Sequence, residues 1–552
     1  MLGDSDRINR LSKYQDINQV DSDGNNAVMR ICKGDYTDNN NPVTVVETLI
    51  DLGLRLDATN YNGDTPLTLL GSVRSYCPDM NKRSEDIGRL LLKRGVHPEV
   101  VNNEGQTSLM KASLSGLDNL VVDLLNRTSS DIDHTTPRDG RSILQHLCHV
   151  NNGKTATLLL DHGACINHQD YQGRTALAIA IEKGHEPLAY ILMTPKYCAD
   201  PDLPDHDGLT SLHWAIIKNQ PRIVDVLLQS GADRLLRIKN GLTPLMVAVA
   251  EGNMKIVDCL INVANQKERQ RIVNQIDYDG VTPLIKAVKM KHIGIVKLLA
   301  GDTFLSHCDY VHGMNALMWA IHGCKHMYGD VNDAEIINTL HNAYLTSSGG
   351  TSAINQTSQC ALGQTALHFA VGKMNWIMEM FLRYKDHINL DVPDNQGCTP
   401  LMRALLYSDS DRTRHQSMML INAGAKLDVL SHHLDGPGYG SLSPLHYAVL
   451  TSPFFTRYLL DNGASVDFQN ADGDTALMHA IRHGFAGQET IEILMGWNPD
   501  VSITNNKGET AFSIASDLLP RNKGETAFQI DLLPRVLDPL VWNAITPRQY
   551  KK

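Results

Sequence analysis

The densest group of chemically capable side chains is His307, Cys308, His312, His322, Cys324 and His326, six within twenty residues. Imidazole and thiolate are the ligands zinc takes most readily. Their spacing matches no zinc pattern, however, and helix geometry would scatter side chains placed at these intervals. The group His432, His433 and Asp435, in a glycine-rich stretch, has the same weakness. Cys148, flanked by His146 and His149, has the residue types of a nucleophile and its base, but near neighbours on a helix do not face one another. The chain has no P-loop, no G-x-G-x-x-G after a strand, no kinase signature, no H-E-x-x-H and no G-x-S-x-G. Metal, cofactor and catalysis are therefore not expected.

A different chemistry, recognition, suits Tyr61, Tyr171, His206 and Tyr278, each two residues before a glycine. A tyrosine in such a place offers large contact area, a hydroxyl and little side-chain entropy to lose. The elements that position these residues are legible in the stretch Asp207 to Leu245. Gly208 and Gly241 each follow an Asp or Asn and precede a Thr by two, the composition of a tight turn with positive φ. Thr210 suits a helix N-cap, and Leu212 to Ile217 is nearly all apolar, too short for a free helix and too oily for a surface one. Pro221 fits the first turn of a second helix. There Ile223, Val224, Val226, Leu227 and Leu228 face inward, Asp225 and Gln229 point out, and Gly231 closes the end.

Turn, helix, turn, helix and a loop back resembles the ankyrin repeat, a unit of about 33 residues. The same anchor glycine recurs at Gly24, Gly63, Gly105, Gly140, Gly173, Gly208, Gly241, Gly280, Gly313, Gly363, Gly397, Gly473 and Gly508, and as Ser443-Pro444-Leu445 after Gly440. From Gly140 to Gly241 the anchors fall 33, 35 and 33 residues apart. The resemblance covers roughly residues 16 to 515 and implies an all-α solenoid of stacked helix-turn-helix units with β-turn or hairpin loops, about thirteen full repeats plus caps.

Composition agrees with stacking. Apolar residues at 42% and aromatics at 6% suit many small interfaces better than one large core. A net charge of −11 argues against a nucleic acid or an anionic membrane as partner. Ten scattered cysteines without C-x-x-C point to a reducing compartment. The start, MLGDSDRINRLSKYQ, lacks the apolar stretch of a conventional signal peptide, and no apolar run approaches a membrane span. A cytoplasmic site of action is expected, in the host cytosol if the chain is a secreted effector.

In order along the chain, residues 1–22 read as an N-terminal capping segment and 23–505 as the repeat array. Residues 506–552 read as a C-terminal cap and tail, with NKGETAF occurring twice in short succession. Insertions are expected near 34–42, 75–86, 262–277, 324–333, 346–361, 407–415 and 431–441, the first two as loops tolerated at an edge or as added contact surface, and 262–277 as about six residues that extend the second helix or its loop. The stretch 346–361, rich in Ser, Thr and Gly, is also a candidate hinge. The second helix beside it is expected at Ala334 to Tyr344. Lys267, Arg269, Arg271, Lys286, Lys289, Lys291 and Lys297 make the most basic region, read as a solvated face with pairing along helices and alternatively as a seat for an acidic ligand.

The resemblance further implies that residues beside the turn glycine and late in the first helix line a concave partner-binding face. Carried onto this chain, that face comprises Tyr61, Tyr171, Glu182, Lys183, His206, Ile217, Lys218, Tyr278, Lys289 and Met290. His213, His368 and His446 take the place where the family uses histidine to bond the neighbouring turn. Trp214, Trp319, Phe369 and Tyr447 share the next register and are expected to pack. The function implied is a non-catalytic scaffold binding a protein. The alternative is an adaptor whose tail, 531–545, weakly resembles the start of an F-box and recruits other machinery. Irregular insertions and the repeated Leu-Met pair (Met110, Met246, Met318, Met402, Met478) resemble secreted bacterial effectors and viral host-range proteins.

Overall fold

Each repeat begins where a glycine turns the chain. All thirteen anchor glycines have positive φ, between +58° and +83°. After the turn a short polar side chain caps the first helix: Thr175 Oγ1 accepts from the Ala178 amide at 3.2 Å, and Thr243 and Thr282 do the same for Met246 and Ile285. Proline follows the cap at Pro66, Pro244, Pro283, Pro400 and Pro444, where no amide is needed. The repeat that displays the pattern most fully has helices Ser211–Ile217 and Pro221–Gln229. The second ends in paired bonds, Gly231 N to Leu228 O and Ala232 N to Leu227 O, with Gly231 left-handed.

The computed structural model describes residues 16–34, 41–72, 78–127, 131–263, 265–324, 331–347, 353–359, 362–407, 410–431, 441–483 and 488–517. They form two compact units, divided between Ala264 and Asn265. Within each, first helices pack on first helices and second on second: Ala176–Glu182 lies against both Ile143–Val150 and Ser211–Ile217, and Ala316–Gly323 lies between Pro283–Lys289 and Ala366–Ala370. The core is thus a series of small layers, such as Leu212, Ala215, Ile216, Ile223, Val224 and Leu227, all at most 1% exposed. No strand occurs among the described residues, and the hairpin character of the turns is limited to one isolated bridge, Thr135 to Ser142. The all-α class and the stacked helix-turn-helix unit are as the resemblance implies.

Four of the expected insertions contain helix. Of 75–86, residues from Pro78 onward belong to the helix Pro78–Lys93. Its polar Ser84 and Glu85 are buried, and Glu85 accepts from the Asn119 amide at 3.0 Å and from Asn119 Nδ2 at 2.7 Å, capping the next second helix. Of 407–415, residues from Asp411 belong to Asp411–Ala423. There Gln416 is buried because it bonds Gly372 N (2.8 Å) and Lys373 O (2.7 Å) of the preceding repeat. Of 324–333, residues from Val331 start the helix Val331–Thr346, longer at both ends than the expected Ala334 to Tyr344. The 262–277 insertion carries a separate helix, Gln266–Val273, capped by Asn265, rather than an extension of Met254–Ile261.

The basic region also differs from expectation. Several of its charges pair across repeats: Arg269 with Asp302 (2.7 Å), Lys289 with Asp309 (3.6 Å), Lys291 with Asp333 (2.8 Å) and Lys297 with Glu335 (2.5 Å). Residues 1–15, 35–40, His326, 348–352, the group His432, His433 and Asp435, and the tail from 518, including 531–545, lie outside the described residues.

Candidate functional site

The turn tips are built by one repeated device. The Asp or Asn three residues before the anchor glycine accepts two backbone amides on a single oxygen: Asp170 Oδ1 takes Gln172 N and Arg174 N at 2.9 Å each, and Asp205 Oδ1 takes Asp207 N at 2.9 Å and Leu209 N at 2.8 Å. The next residue joins its turn to the one before it. Tyr61 N donates to Asp23 O, Tyr171 N to Asp139 O, and His206 N to Gln172 O, at 2.9–3.0 Å.

The side chain at that position lies over the preceding anchor glycine. A Cβ on Gly140 would stand 2.4 Å from the Tyr171 ring, and one on Gly280 would stand 2.6 Å from Tyr310. Those glycines are needed for the room they leave as well as for their φ. The outer faces of the rings remain open: Tyr61 is 71% exposed, Tyr171 62% and Tyr278 68%. Tyr310, 63% exposed, is a member that the spacing hid. Its amide bonds Asp279 O at 2.8 Å, the tip position, but its turn has an extra residue, so it stands three residues from Gly313.

The ten expected residues fall into the two units, seven in the first and three in the second. In the first unit Tyr171, Glu182, Lys183, His206, Ile217 and Lys218 come from two adjacent repeats whose first helices pack together. Ile217 is 37% exposed at the end of its helix. Glu182 is drawn inward by a chain of charges: Arg174 bridges Asp170 (2.9 Å) and Glu182 (3.0 Å), and Lys183 lies 3.5 Å from Glu182. It stabilises the repeat more than it offers a contact. Tyr61 stands on an earlier turn of the same unit. In the second unit Tyr278, Lys289 and Met290 belong to one repeat, with Met290 half exposed.

The aromatic register after the first-helix cap takes two forms. Trp214 Nε1 donates to Asp205 Oδ2 at 3.1 Å, with the Lys218 ammonium 5.8 Å from the ring. Over Trp319 the Lys289 ammonium sits 3.8 Å from the ring, and the equivalent carboxylate, Asp309, faces Lys289 (3.6 Å) and His312 (3.5 Å). The buried Trp319 Nε1 has no hydrogen-bond partner. Beside it lies a groove of about 470 Å³ whose walls include Lys289, Lys291, Trp319, His322 and Asp333. Tyr447 is buried, while Trp214, Trp319 and Phe369 are half-buried.

The histidines of the motif act within the fold. His368 and His446 bond their own caps, Thr365 and Ser443, through Nδ1, and the next turn through Nε2, at Cys398 O (2.9 Å) and Asp474 O (3.0 Å). Gln145 does the same work with its amide, reaching His168 O and Arg174 O. His213 departs from this: Nδ1 bonds Thr210 at 2.9 Å, but its buried Nε2 finds no partner. Burial pushes the His213 and His446 imidazoles down to about 4.

The residues of the two chemical groupings have separate roles. His307 Nε2 bonds Gly280 O at 2.8 Å, and Cys308 and Cys324 are buried, their thiols pushed up to about 11 by burial. No three His, Cys, Asp or Glu among the described residues come close enough to share a metal. Cys148 is fully buried and pushed up to about 12. His146 instead meets Thr136 Oγ1 at 3.1 Å, while that hydroxyl donates to Asp139 Oδ1. With the hydroxyl proton turned to the carboxylate, the imidazole must donate, so it does not serve Thr136 as a base. No described helix is long and apolar enough to cross a membrane.

Comparison with known proteins returns the same unit. The family model described as ankyrin repeats (3 copies) matches residues 109–205, 169–238, 212–305 and 417–507, together more than half of the chain. Ankyrin repeat domain-containing protein SAT10 of Stachybotrys chartarum is 26% identical over 441 residues, 76% of this chain and 20% of that protein. Human ankyrin repeat domain-containing protein 63 is 30% identical over 159 residues, 27% of this chain and 40% of its own. NF-kappa-B inhibitor alpha of Sus scrofa is 38% identical over 90 residues, 16% of this chain and 29% of its own. The matches thus span less than half the length of each of these relatives.

Proposed function

The chain belongs to the ankyrin repeat family, and from that premise we propose that it is a non-catalytic scaffold gripping a protein partner through its turn tips and first-helix ends. The observation that carries this reading is the set of tip tyrosines, more than 60% exposed, of which Tyr61, Tyr171 and Tyr310 have backbones fixed by bonds between turns. A backbone fixed in this way loses little freedom when a partner covers the ring it carries. In the first unit the binding patch comprises Tyr171, His206, Ile217, Lys183 and Lys218, with Tyr61 further along; in the second it comprises Tyr278, Tyr310, Lys289 and Met290. One relative, NF-kappa-B inhibitor alpha, is named for its action on another protein.

The test is affinity capture from native cell extract by the full chain and by two folded variants, Tyr171→Ala with His206→Ala, and Tyr278→Ala with Tyr310→Ala. Circular dichroism confirms the helix content of each. A partner captured by the parent and lost from at least one variant supports the reading. A partner retained by both contradicts it and moves the search to the insertions.

A further inference from the structure

The groove beside Trp319 has an asymmetry of charge that names a ligand. Its two lysines are more exposed than the carboxylates that pair with them: Asp309 and Asp333 expose 0% and 5% of their side chains, against 29% and 40% for Lys289 and Lys291, with Asp333 itself in the lining. A third ammonium, Lys373, bonds Cys324 O (2.9 Å) and His322 O (3.2 Å) at the end of the helix Ala316–Gly323. The exposed charge at the groove is therefore mainly that of Lys289 and Lys291. The lining also includes the apolar Val288, Ala320, Ile336 and Trp319, alongside His322 and Asp333. A volume of about 470 Å³ lies within the roughly 300–1,000 Å³ of ligand clefts.

Apolar walls under a cationic rim suit a carboxylate on a short methylene stem. Resting on the protein-binding reading above, we propose that this groove receives glutamate side chains of an acidic segment of the partner protein. The carboxylate shares the Lys289 and Lys291 ammonium groups with their buried partners, and the methylenes pack on Trp319. Met290, half exposed, stands between the two lysines in the sequence.

The test uses the full chain and a fluorescein-labelled peptide carrying a Glu-Glu pair between leucines, with a Gln-Gln peptide as its control, followed by anisotropy. The Glu peptide is expected to bind at least roughly tenfold more tightly than the Gln peptide, and to weaken as salt rises. Lys289→Gln should weaken it. Because that change also disturbs Asp309, Met290→Glu provides the second variant; it adds a repelling charge at an exposed position, and Met290→Lys should act in the opposite direction. Equal binding of the two peptides, no binding of the Glu peptide, or indifference to the Met290 substitutions overturns the proposal. A chain that loses its natural partner on Tyr278→Ala with Tyr310→Ala, yet ignores the Glu peptide, leaves the protein-binding reading standing and removes only the groove.

Discussion

The repeat around Trp214 and the repeat around Trp319 begin from nearly the same sequence, SLHWAII and ALMWAIH, and reach different electrostatic solutions. In the first, Gly208 follows Asp205 by three positions, and the carboxylate satisfies the indole N–H at 3.1 Å. In the second, the turn from Asp309 to Gly313 is one residue longer, and the carboxylate faces Lys289 and His312 instead. One inserted residue therefore changes a self-contained repeat into one that draws a lysine from the preceding repeat over its tryptophan. Turn length, more than helix sequence, decides which polar groups a repeat leaves facing outward.

The largest effect that should sharpen this contrast is on the anchor glycines. A Cβ on Gly208 would stand 3.0 Å from Ile238 Cα, and one on Gly313 would stand 2.5 Å from the Gln359 backbone nitrogen. Gly208→Ala is expected to cost about 1–3 kcal/mol for its left-handed φ. Gly313→Ala should cost more, because backbone must also move. Urea midpoints of the two variants give the comparison, and equal losses would break it.

The second effect is one of pH. His213, in the Trp214 repeat, is held neutral by burial at about 4, and Met318 takes its place in the Trp319 repeat. The unfolded chain binds a proton near 6.5, the ordinary value, so the contribution of the neutral imidazole is complete above pH 6.5. It is lost as pH falls from 6.5 toward 4, by up to about 3 kcal/mol. His213→Met should flatten that part of the acid dependence of urea stability; an unchanged slope would show that His213 does not govern it.

The smallest effect separates the two lysines. Lys289→Met removes the ammonium facing both Asp309 and Trp319 and is expected to cost about 2 kcal/mol. Lys218→Met, at an exposed ammonium 5.8 Å from its ring, should stay within about 0.5 kcal/mol. Thermal unfolding of the paired variants reads the difference, and a reversed order would refute the account of the longer turn.

What was legible in the sequence follows from which interactions are local. Gly208, Thr210, Pro221 and Gly231 announce their conformations because turn, cap and helix end depend on a few adjacent residues. The helices over 78–86 and 411–415 were not legible, because Glu85 and Gln416 look like loop residues until Asn119 and Gly372 are placed beside them. Tyr310 was hidden for a related reason: its role is set by Asp279 and Gly280 of the preceding turn and not by its distance from Gly313. Glu182 looked available on its helix, and only the positions of Arg174 and Asp170 reveal that it is engaged.

The central claim, that partners are gripped at the turn tips and first-helix ends, is tested most directly by site-specific photocrosslinking. A benzophenone amino acid replaces Tyr171 in one version of the chain and Asp225, exposed on the second helix Pro221–Gln229, in another; each is irradiated in native extract. The account predicts a discrete adduct from position 171 and none from position 225. An adduct from 225 with none from 171 would contradict it and place binding on the second helices.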